Sequence, residues 1–173
     1  MFAFRLSSDA VYIGVHIRRA DMAFDPKYTV ADVGYFRRAV HLMTRNFEGF
    51  QLVFVVCSDD LFWSKQIFPD VVSREIDHVT VGFNRRINPS NESVATNATR
   101  AVVVFSENHG SEEDLAILSS CNHTIMTVGT YGWWAAYLAG GITTYYRNFP
   151  AKDSELFKWF SRRDHFPPDW IGL

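Results

Sequence analysis

The sequence predicts an α/β fold in which a parallel β-sheet is covered by helices on both faces. Apolar runs recur along the chain, and amphipathic helical patterns separate them. The runs are mostly continuous rather than alternating, which is typical of strands buried on both faces. With 173 residues, of which 47% are hydrophobic, the chain can bury a core of its own. We therefore expect a single domain over residues 1–173.

Several segments have the strand pattern, and one long polar stretch interrupts them. The predicted strands are Val11–Ile17, Gln51–Cys57, Ala101–Phe105, His123–Val128 and Ile142–Tyr146. The stretch from Asp77 to Arg100 is rich in Asn, Ser and Thr, so we interpret it as a long surface excursion.

Helices are predicted between these strands. Apolar residues recur at helical spacing from Val33 to Phe47, with Thr29 or Asp32 available as the N-terminal cap. Ser58-Asp-Asp60 can cap a short helix that ends before Pro69.

Two further helices are predicted in the second half. Ser111-Glu-Glu-Asp114 resembles a capped helix start. Gly129-Thr-Tyr-Gly132 predicts a tight turn, followed by a helix over Trp133–Ala139 that Gly140 closes. We expect the aromatic residues between Phe157 and Trp170 to pack back on the body of the domain.

Composition excludes some classes of partner. A net charge of -2 and a pI near 6.3 give no general attraction to nucleic acid or to anionic lipid. The sequence has no apolar run long enough to span a bilayer, and its first residues lack the pattern of a secretory signal. We expect no nucleic-acid partner and no membrane span within this chain.

Cysteines and glycosylation motifs bear on the compartment. Cys57 and Cys121 are too few for a disulfide framework, and we favour two buried thiols over a disulfide. Three Asn-x-Ser/Thr motifs make Asn91, Asn97 and Asn122 candidate glycosylation sites, which would suit a lumenal protein. The first two lie in a polar stretch, whereas the third adjoins a predicted strand and is expected to be covered.

The segment Val11 to Asp21 carries the strongest functional signal. An apolar strand ends in His16, Arg18, Arg19 and Asp21. Open α/β sheets bind ligands at the carboxyl ends of their strands, and adjacent arginines suit a multiply charged anion such as a diphosphate. We therefore expect a nucleotide partner.

Other polar residues are candidates for the same rim of the sheet. The Gly129–Gly132 turn offers a helix N-terminus to a phosphate. Asp114 is either a helix cap or an acceptor for the N–H groups of a guanine. Ser58-Asp-Asp60 is either a helix cap or a Mg²⁺ or Mn²⁺ site, and we favour the cap. Glu107, His109 and Glu113 are candidate bases.

Three blocks resemble a known family. They are Val15-His-Ile-Arg-Arg-Ala-Asp21, Phe54-Val-Val-Cys-Ser-Asp-Asp-Leu-Phe-Trp63, and the long block from Asp114 to Gly141. In this order they resemble the galactoside α-1,2-fucosyltransferases of the blood-group H and secretor type. The resemblance covers most of Val11–Phe149. This chain has Ala20 where the family usually has glycine, and Met22 where it usually has an aromatic residue.

The resemblance implies a GT-B-type enzyme of two Rossmann-like domains. It implies inverting transfer of L-fucose from GDP-fucose to the 2-hydroxyl of a terminal galactose, with no required metal or other cofactor. This chain matches the C-terminal, donor-binding half. The resemblance therefore also implies a galactose-terminated glycan as acceptor, an N-terminal membrane anchor and acceptor-side domain outside this chain, and a Golgi location on the lumenal side.

The resemblance also implies roles for particular residues. Arg18 would neutralise the leaving β-phosphate, and His16 and Asp114 would contact the nucleoside. The remaining expected donor-binding residues are Arg19, Ser58, Asp59, Thr130, Tyr131 and Gly132. Asp21 and Asp25 join Arg18 as candidate catalytic residues. The alternatives are a non-catalytic GDP-sugar-binding or degenerate module and a nucleotide-binding interaction domain.

Overall fold

The computed structural model describes residues 9–25, 28–82 and 99–173 of the chain. The strands are β1 (Val11–Ile17), β2 (Gln51–Ser58), β3 (His78–Gly82), β4 (Arg100–Phe105), β5 (His123–Met126), β6 (Thr143–Tyr145) and β7 (Ile171–Gly172). The helices are α1 (Val33–Asn46), α2 (Leu61–Ser73), α3 (Ser111–Ser119), α4 (Thr130–Ala139), α5 (Glu155–Trp159) and α6 (Arg162–His165), with a 3₁₀ helix at Asp21–Phe24.

The strands form one parallel sheet in the order β3-β4-β2-β1-β5-β6-β7. This confirms the predicted α/β, Rossmann-like fold with flanking helices. Each predicted strand is present, and β1 has the predicted bounds. No described helix has both the length and the apolar character needed to cross a bilayer.

Strand β3 corrects the interpretation of residues 77–100. The surface excursion predicted there is wrong for His78–Gly82, which pairs with β4 at the edge of the sheet. Because it is a short edge strand with alternating exposure, it lacks the continuous apolar run of a central strand. Residues 83–98, which include the candidate glycosylation sites Asn91 and Asn97, lie outside the described part of the chain.

Helices α1 and α2 cover one face of the sheet. The Oδ1 atom of Asp32, rather than Thr29, caps α1 by accepting the backbone N–H of Tyr35 at 2.7 Å. The buried face of α1 packs on Ile13, Val15 and Ile17 of β1. Its buried side chains are Tyr35, Phe36, Ala39, Val40 and Met43.

Helix α2 corrects a predicted boundary. The sequence predicts that it ends before Pro69, but it continues through that residue to Ser73. A proline inside a helix costs about 3 kcal/mol. Burial of Phe68, Val71 and Val72, at about 1.5–3 kcal/mol each, exceeds this cost. Tertiary packing therefore maintains the helix beyond its local stop signal.

Helices α3 and α4 lie on the other face, and α4 corrects the predicted turn. Only Gly129, at φ 93°, forms the turn, while Thr130–Gly132 are the first residues of the helix. The reversal needs one left-handed residue, which glycine adopts without a steric penalty. Gly140 ends the helix at φ 72°, as predicted.

The C-terminal segment packs against the sheet as predicted over its later part, whereas Phe157 and Trp159 are exposed, contrary to the prediction. Phe166 stacks on Tyr145 with ring centroids 3.7 Å apart. The Nε1–H group of Trp133 donates to the carbonyl of His165 at 2.8 Å. Strand β7 then extends the sheet beside β6.

Candidate functional site

The carboxyl ends of β1 and β5 define a crevice in the middle of the sheet. From β1 the chain first builds the sheet in the direction of β2, and it later returns to add β5 on the other side of β1. This reversal is a topological switch point, where open α/β sheets bind their ligands. His16 lies opposite Cys57 of β2 and Met126 of β5. The polar residues that follow these three strands therefore meet at one rim.

Arg18 lies directly at this crevice. Its backbone N–H donates to the Thr127 Oγ1 atom beyond β5 at 2.9 Å, which ties the two sides of the switch point together. The guanidinium forms ion pairs with Asp21, at 2.7 Å, and with Asp59. Its side chain keeps 35% exposure, so it is held in place yet accessible to a ligand.

Asp59 connects the end of β2 to the loop after β1. One carboxylate oxygen pairs with Arg18, and the other accepts the backbone N–H groups of Arg19 at 2.8 Å and Ala20 at 3.3 Å. Ser58 has a different position, because its hydroxyl accepts from the Asp60 N–H at 2.9 Å and from the Ser64 hydroxyl at 3.0 Å. Ser58 thus supports the start of α2.

Arg19 is held separately from Arg18. Its guanidinium carbon lies 4.4 Å from the ring centroid of Trp63, and its Nε atom is 3.5 Å from Asp60 Oδ2. Asp60 also caps α2 through the N–H of Trp63, as predicted. Trp63 was not among the predicted site residues, although its position in the first turn of α2, close behind the end of β2, was an available signal.

The predicted metal alternative concerned Ser58-Asp-Asp60. In the structure the Asp59 carboxylate pairs with Arg18, and the Asp60 carboxylate pairs with Arg19. Within residues 9–25, 28–82 and 99–173, no three His, Cys, Asp or Glu side chains are grouped as metal ligands.

His16 is buried beside the N-terminus of α4. It is 6% exposed, and its ring centroid lies 5.4 Å from that of Tyr131. Among the described residues, its Nδ1 atom has no hydrogen-bond partner. Burial lowers the pKa of His16 to about 4, while Asp59 opposes and Arg18 reinforces the shift. The imidazole is therefore neutral near pH 7.

The first turn of α4 faces the crevice from the β5 side. The first N–H groups of a helix have no intrahelical acceptor and carry the positive end of the helix dipole. Thr130, Tyr131 and Gly132 supply them here. The Tyr131 hydroxyl donates to the Ser111 carbonyl, and burial, reinforced by Asp114, raises its pKa to about 12. Tyr131 is thus a neutral link between α4 and α3.

Asp114 belongs to a polar cluster at the end of β4. The Ser106 hydroxyl donates to Asp114 Oδ1 at 2.6 Å. Because that hydroxyl has one proton, the His109 Nδ1–H group, 2.7 Å away, donates to the Ser106 oxygen. Ser106 was not among the predicted site residues, although it is the first residue after β4, at the same rim of the sheet.

The remaining candidate bases have structural partners. Glu107 forms an ion pair with Lys65 at 2.7 Å. Glu113 accepts the Gly110 N–H at 2.8 Å and so caps α3. Asp25 follows the 3₁₀ helix, where its N–H donates to the Met22 carbonyl at 3.4 Å. Its predicted catalytic role stays a prediction.

The thiols and the third glycosylation motif are also placed. Cys57 and Cys121 are free and buried, which confirms the prediction of two buried thiols. Asn122 lies just before β5 and is exposed, so the expectation that the adjoining strand covers it is wrong. Its Oδ1 atom accepts the Tyr12 N–H at 2.8 Å. Its side chain therefore takes part in the edge of the β1–β5 pairing.

Comparison with known proteins identifies relatives over nearly the whole chain. Galactoside alpha-(1,2)-fucosyltransferase 2 of Rattus norvegicus is 36% identical over 174 residues, covering 96% of this chain and 41% of that protein. Galactoside alpha-(1,2)-fucosyltransferase 1 of Homo sapiens is 35% identical over 166 residues, covering 94% of this chain and 38% of that protein. The chain thus spans about two fifths of these relatives' length.

A family-level match agrees with these pairwise similarities. The sequence model of glycosyl transferase family 11 matches residues 2–82 and 81–173, so the two segments together include both sides of the switch-point crevice. The matched residues include the charged end of β1, His16 to Asp21, which predicted the anion site. The chain belongs to glycosyl transferase family 11.

Proposed function

We propose that this chain is the donor-binding part of a galactoside α-1,2-fucosyltransferase. It binds GDP-fucose, and the whole protein transfers L-fucose, with inversion, to the 2-hydroxyl of a terminal galactose. The observation that carries the proposal is the position of Arg18. Its guanidinium is accessible at the switch point, and its backbone is bonded across the crevice to Thr127.

The diphosphate fits between two sources of positive charge. Arg18 provides a planar guanidinium that suits bidentate phosphate binding. The N-terminus of α4 provides backbone N–H groups and the positive end of its dipole from the other side of the crevice. These groups support neutralisation of a leaving diphosphate by the protein itself, and we propose that the reaction needs no metal or other cofactor.

The nucleoside fits the polar residues flanking the phosphate position. Asp114 Oδ2 is the carboxylate oxygen that Ser106 does not bond, and a guanine offers two N–H groups to such an acceptor. His16 is neutral and can donate one ring N–H or accept with the other nitrogen. We propose that both residues contact the nucleoside.

The transfer step places distinct demands on the site. The bond between fucose C1 and the phosphate oxygen breaks, and GDP keeps the electron pair. The galactose 2-oxygen bonds to C1 from the opposite face, and its proton passes to a base. Fixed positive charge near the β-phosphate favours departure of GDP, because negative charge accumulates there in the transition state.

Asp21 and Asp25 are the candidate bases within this chain. Asp21 pairs with the Arg18 guanidinium at 2.7 Å, so we propose that it also orients Arg18. Asp25 directly follows the 3₁₀ helix that begins at Asp21, and we propose it as the second candidate.

The wider context of the proposal follows the relatives. We propose a galactose-terminated glycan as the acceptor and a position on the lumenal side of the Golgi membrane. A second candidate function is donor binding without turnover. It is favoured by one observation, because the candidate bases Glu107 and Glu113 are already engaged by Lys65 and by the Gly110 N–H group.

Isothermal titration of GDP-fucose into the chain and its Arg18→Ala variant tests donor binding. A lost charged hydrogen bond is worth about 1.5–3 kcal/mol, so affinity should fall by roughly 10- to 100-fold. Arg74→Ala is the control, since Arg74 pairs with Asp70 on the exposed end of α2. Equal affinity of the Arg18→Ala variant would contradict the phosphate role.

Transfer itself is tested separately. Fucose incorporation into a β-galactoside should be measured with this chain and with a longer form that matches the full length of the relatives. Activity of the longer form with GDP-fucose supports the enzyme, and donor binding without transfer by either form supports the binding module.

A further inference from the structure

We infer that Asp59 is a positioning residue, which holds the Arg18 guanidinium and the Arg19–Ala20 backbone in place for the donor diphosphate without contacting the donor. This inference rests on the proposed function. Asp59 was expected from the sequence to bind the donor itself, whereas its inferred role is indirect, through Arg18 and the Arg19–Ala20 backbone.

Both carboxylate oxygens of Asp59 are already engaged by the protein. Oδ2 pairs with Arg18 Nη1, and Oδ1 accepts two successive backbone N–H groups. A carboxylate can accept only from donors, and a diphosphate offers none when ionised. The geometry therefore directs Asp59 toward the loop after β1 rather than toward the ligand.

The strand register makes Asp59 a rigid support. Ile17 lies opposite Ser58 in the β1–β2 pairing, so Arg18 and Asp59 are the next residues on adjacent strands. Asp59 is 24% exposed, whereas Asp21, the other acid on Arg18, is 72% exposed. Exposed ion pairs contribute little, so Asp59 is the stronger determinant of where the guanidinium lies.

A positioning role and simple electrostatics predict opposite results. Asp59 adds negative charge beside a site for an anion, so neutralising it should strengthen donor binding if charge alone matters. If Asp59 orders Arg18, the same substitution makes the long arginine side chain mobile in the unbound protein. Binding is then weaker, because the side chain loses conformational entropy when the donor binds.

The test is a double-mutant cycle read by titration of GDP-fucose. Asp59→Asn keeps the side-chain shape and an oxygen acceptor but removes the charge. We expect roughly tenfold weaker binding for Asp59→Asn alone, and less than a twofold further loss when it is added to Arg18→Ala. Asp70→Asn is the matched control, because Asp70 is an ion-paired carboxylate on the exposed end of α2. Thermal denaturation of each variant establishes that it is folded.

Several outcomes would overturn the inference. Equal or tighter binding by Asp59→Asn would show that charge, not position, is its contribution. An undiminished loss in the Arg18→Ala background would show that Asp59 does not act by positioning the Arg18 guanidinium. If the unmodified chain does not bind GDP-fucose, the proposed function fails, and amide hydrogen exchange still tests positioning. Asp59→Ala should then expose the Arg19 and Ala20 N–H groups to faster exchange, and unchanged protection would overturn it.

Discussion

Gly132 and His16 are in such close contact that no side chain fits between them. A Cβ atom at Gly132 would lie 2.3 Å from the Nδ1 atom of His16. The first turn of α4 therefore approaches β1 as closely as it does only because residue 132 is glycine. This contact determines how closely the N-terminus of α4 lies against the end of β1.

Gly132→Ala should separate α4 from β1. Overpacking of this kind costs about 1–3 kcal/mol, so we expect a lower melting temperature together with weaker GDP-fucose binding. Adding His16→Ser should recover part of the lost stability, because it removes the clashing ring. Gly34→Ala is the control, since its Cβ would approach only the side-chain ends of Asp32 and Arg38. A Gly132→Ala variant as stable as the unmodified chain would contradict this packing.

Stability should depend on the protonation of His16. Its folded-state pKa is about 4, below the ordinary value of 6.5, so the unfolded chain binds more protons between these values. Stability therefore decreases as the pH falls below 6.5, and the His16 contribution at pH 5 is a loss of about 2 kcal/mol.

His16→Gln isolates this contribution from the other titrating groups. Denaturant unfolding of both proteins at pH 5 and pH 7.5 gives the comparison. The unmodified chain should lose about 2 kcal/mol more than the variant over this interval. An equal pH dependence of the two proteins would show that His16 is not buried in its neutral form.

Asp114 should determine the preference for guanine. If its carboxylate accepts the N1–H and 2-amino groups, GDP should bind more tightly than IDP, which lacks the 2-amino group. Loss of one hydrogen bond to a charged group corresponds to a roughly 10- to 100-fold difference in affinity between GDP and IDP. Asp114→Asn should reduce this preference to nearly one, as measured by competition of both nucleotides against GDP-fucose. A preference retained in Asp114→Asn would assign base recognition to other residues.

Trp63 should contribute to donor binding through Arg19. Trp63→Leu removes the aromatic face under the guanidinium, a contact worth about 0.5–2 kcal/mol, but keeps an apolar contact for Phe36. We expect GDP-fucose affinity to fall by a few-fold at low salt. Trp159→Leu, at a residue 85% exposed in the C-terminal segment, is the control. Identical affinities of Trp63→Leu and the unmodified chain would place Arg19 outside the donor site.

Both cysteines should be unreactive in the folded chain. The pKa of Cys57 is raised well above its ordinary value, chiefly by burial. Burial also raises the pKa of Cys121 to about 12. Neither cysteine therefore forms a thiolate near pH 7. Titration with a thiol-reactive disulfide reagent should modify both only after denaturation without reductant. Absence of reactive thiols in the denatured chain would instead indicate a disulfide.

The sequence predicted the sheet and the charged rim, because both follow from local patterns. The continuous apolar run of β1 and the charged residues that end it are adjacent in the chain, so strand and site appeared together. The pairing of Arg18 with Asp59, and of Ser106 with Asp114, depends on strand register and helix placement instead. No pattern in neighbouring residues of the sequence predicts such contacts. Nor does one predict the tertiary packing that stabilises α2 beyond Pro69.

The β1–β5 pairing joins residues 13–16 with residues 123–126, more distant in sequence than the β1–β2 pairing. Closing such a long loop is slow, because its entropy is lost before the contacts that compensate for it form. During synthesis β1 meets β2 early, whereas β5 emerges from the ribosome only after β4 and α3. The crevice is thus assembled late, and a nascent or partly folded chain has β1 to β4 before the two sides of the proposed donor site come together.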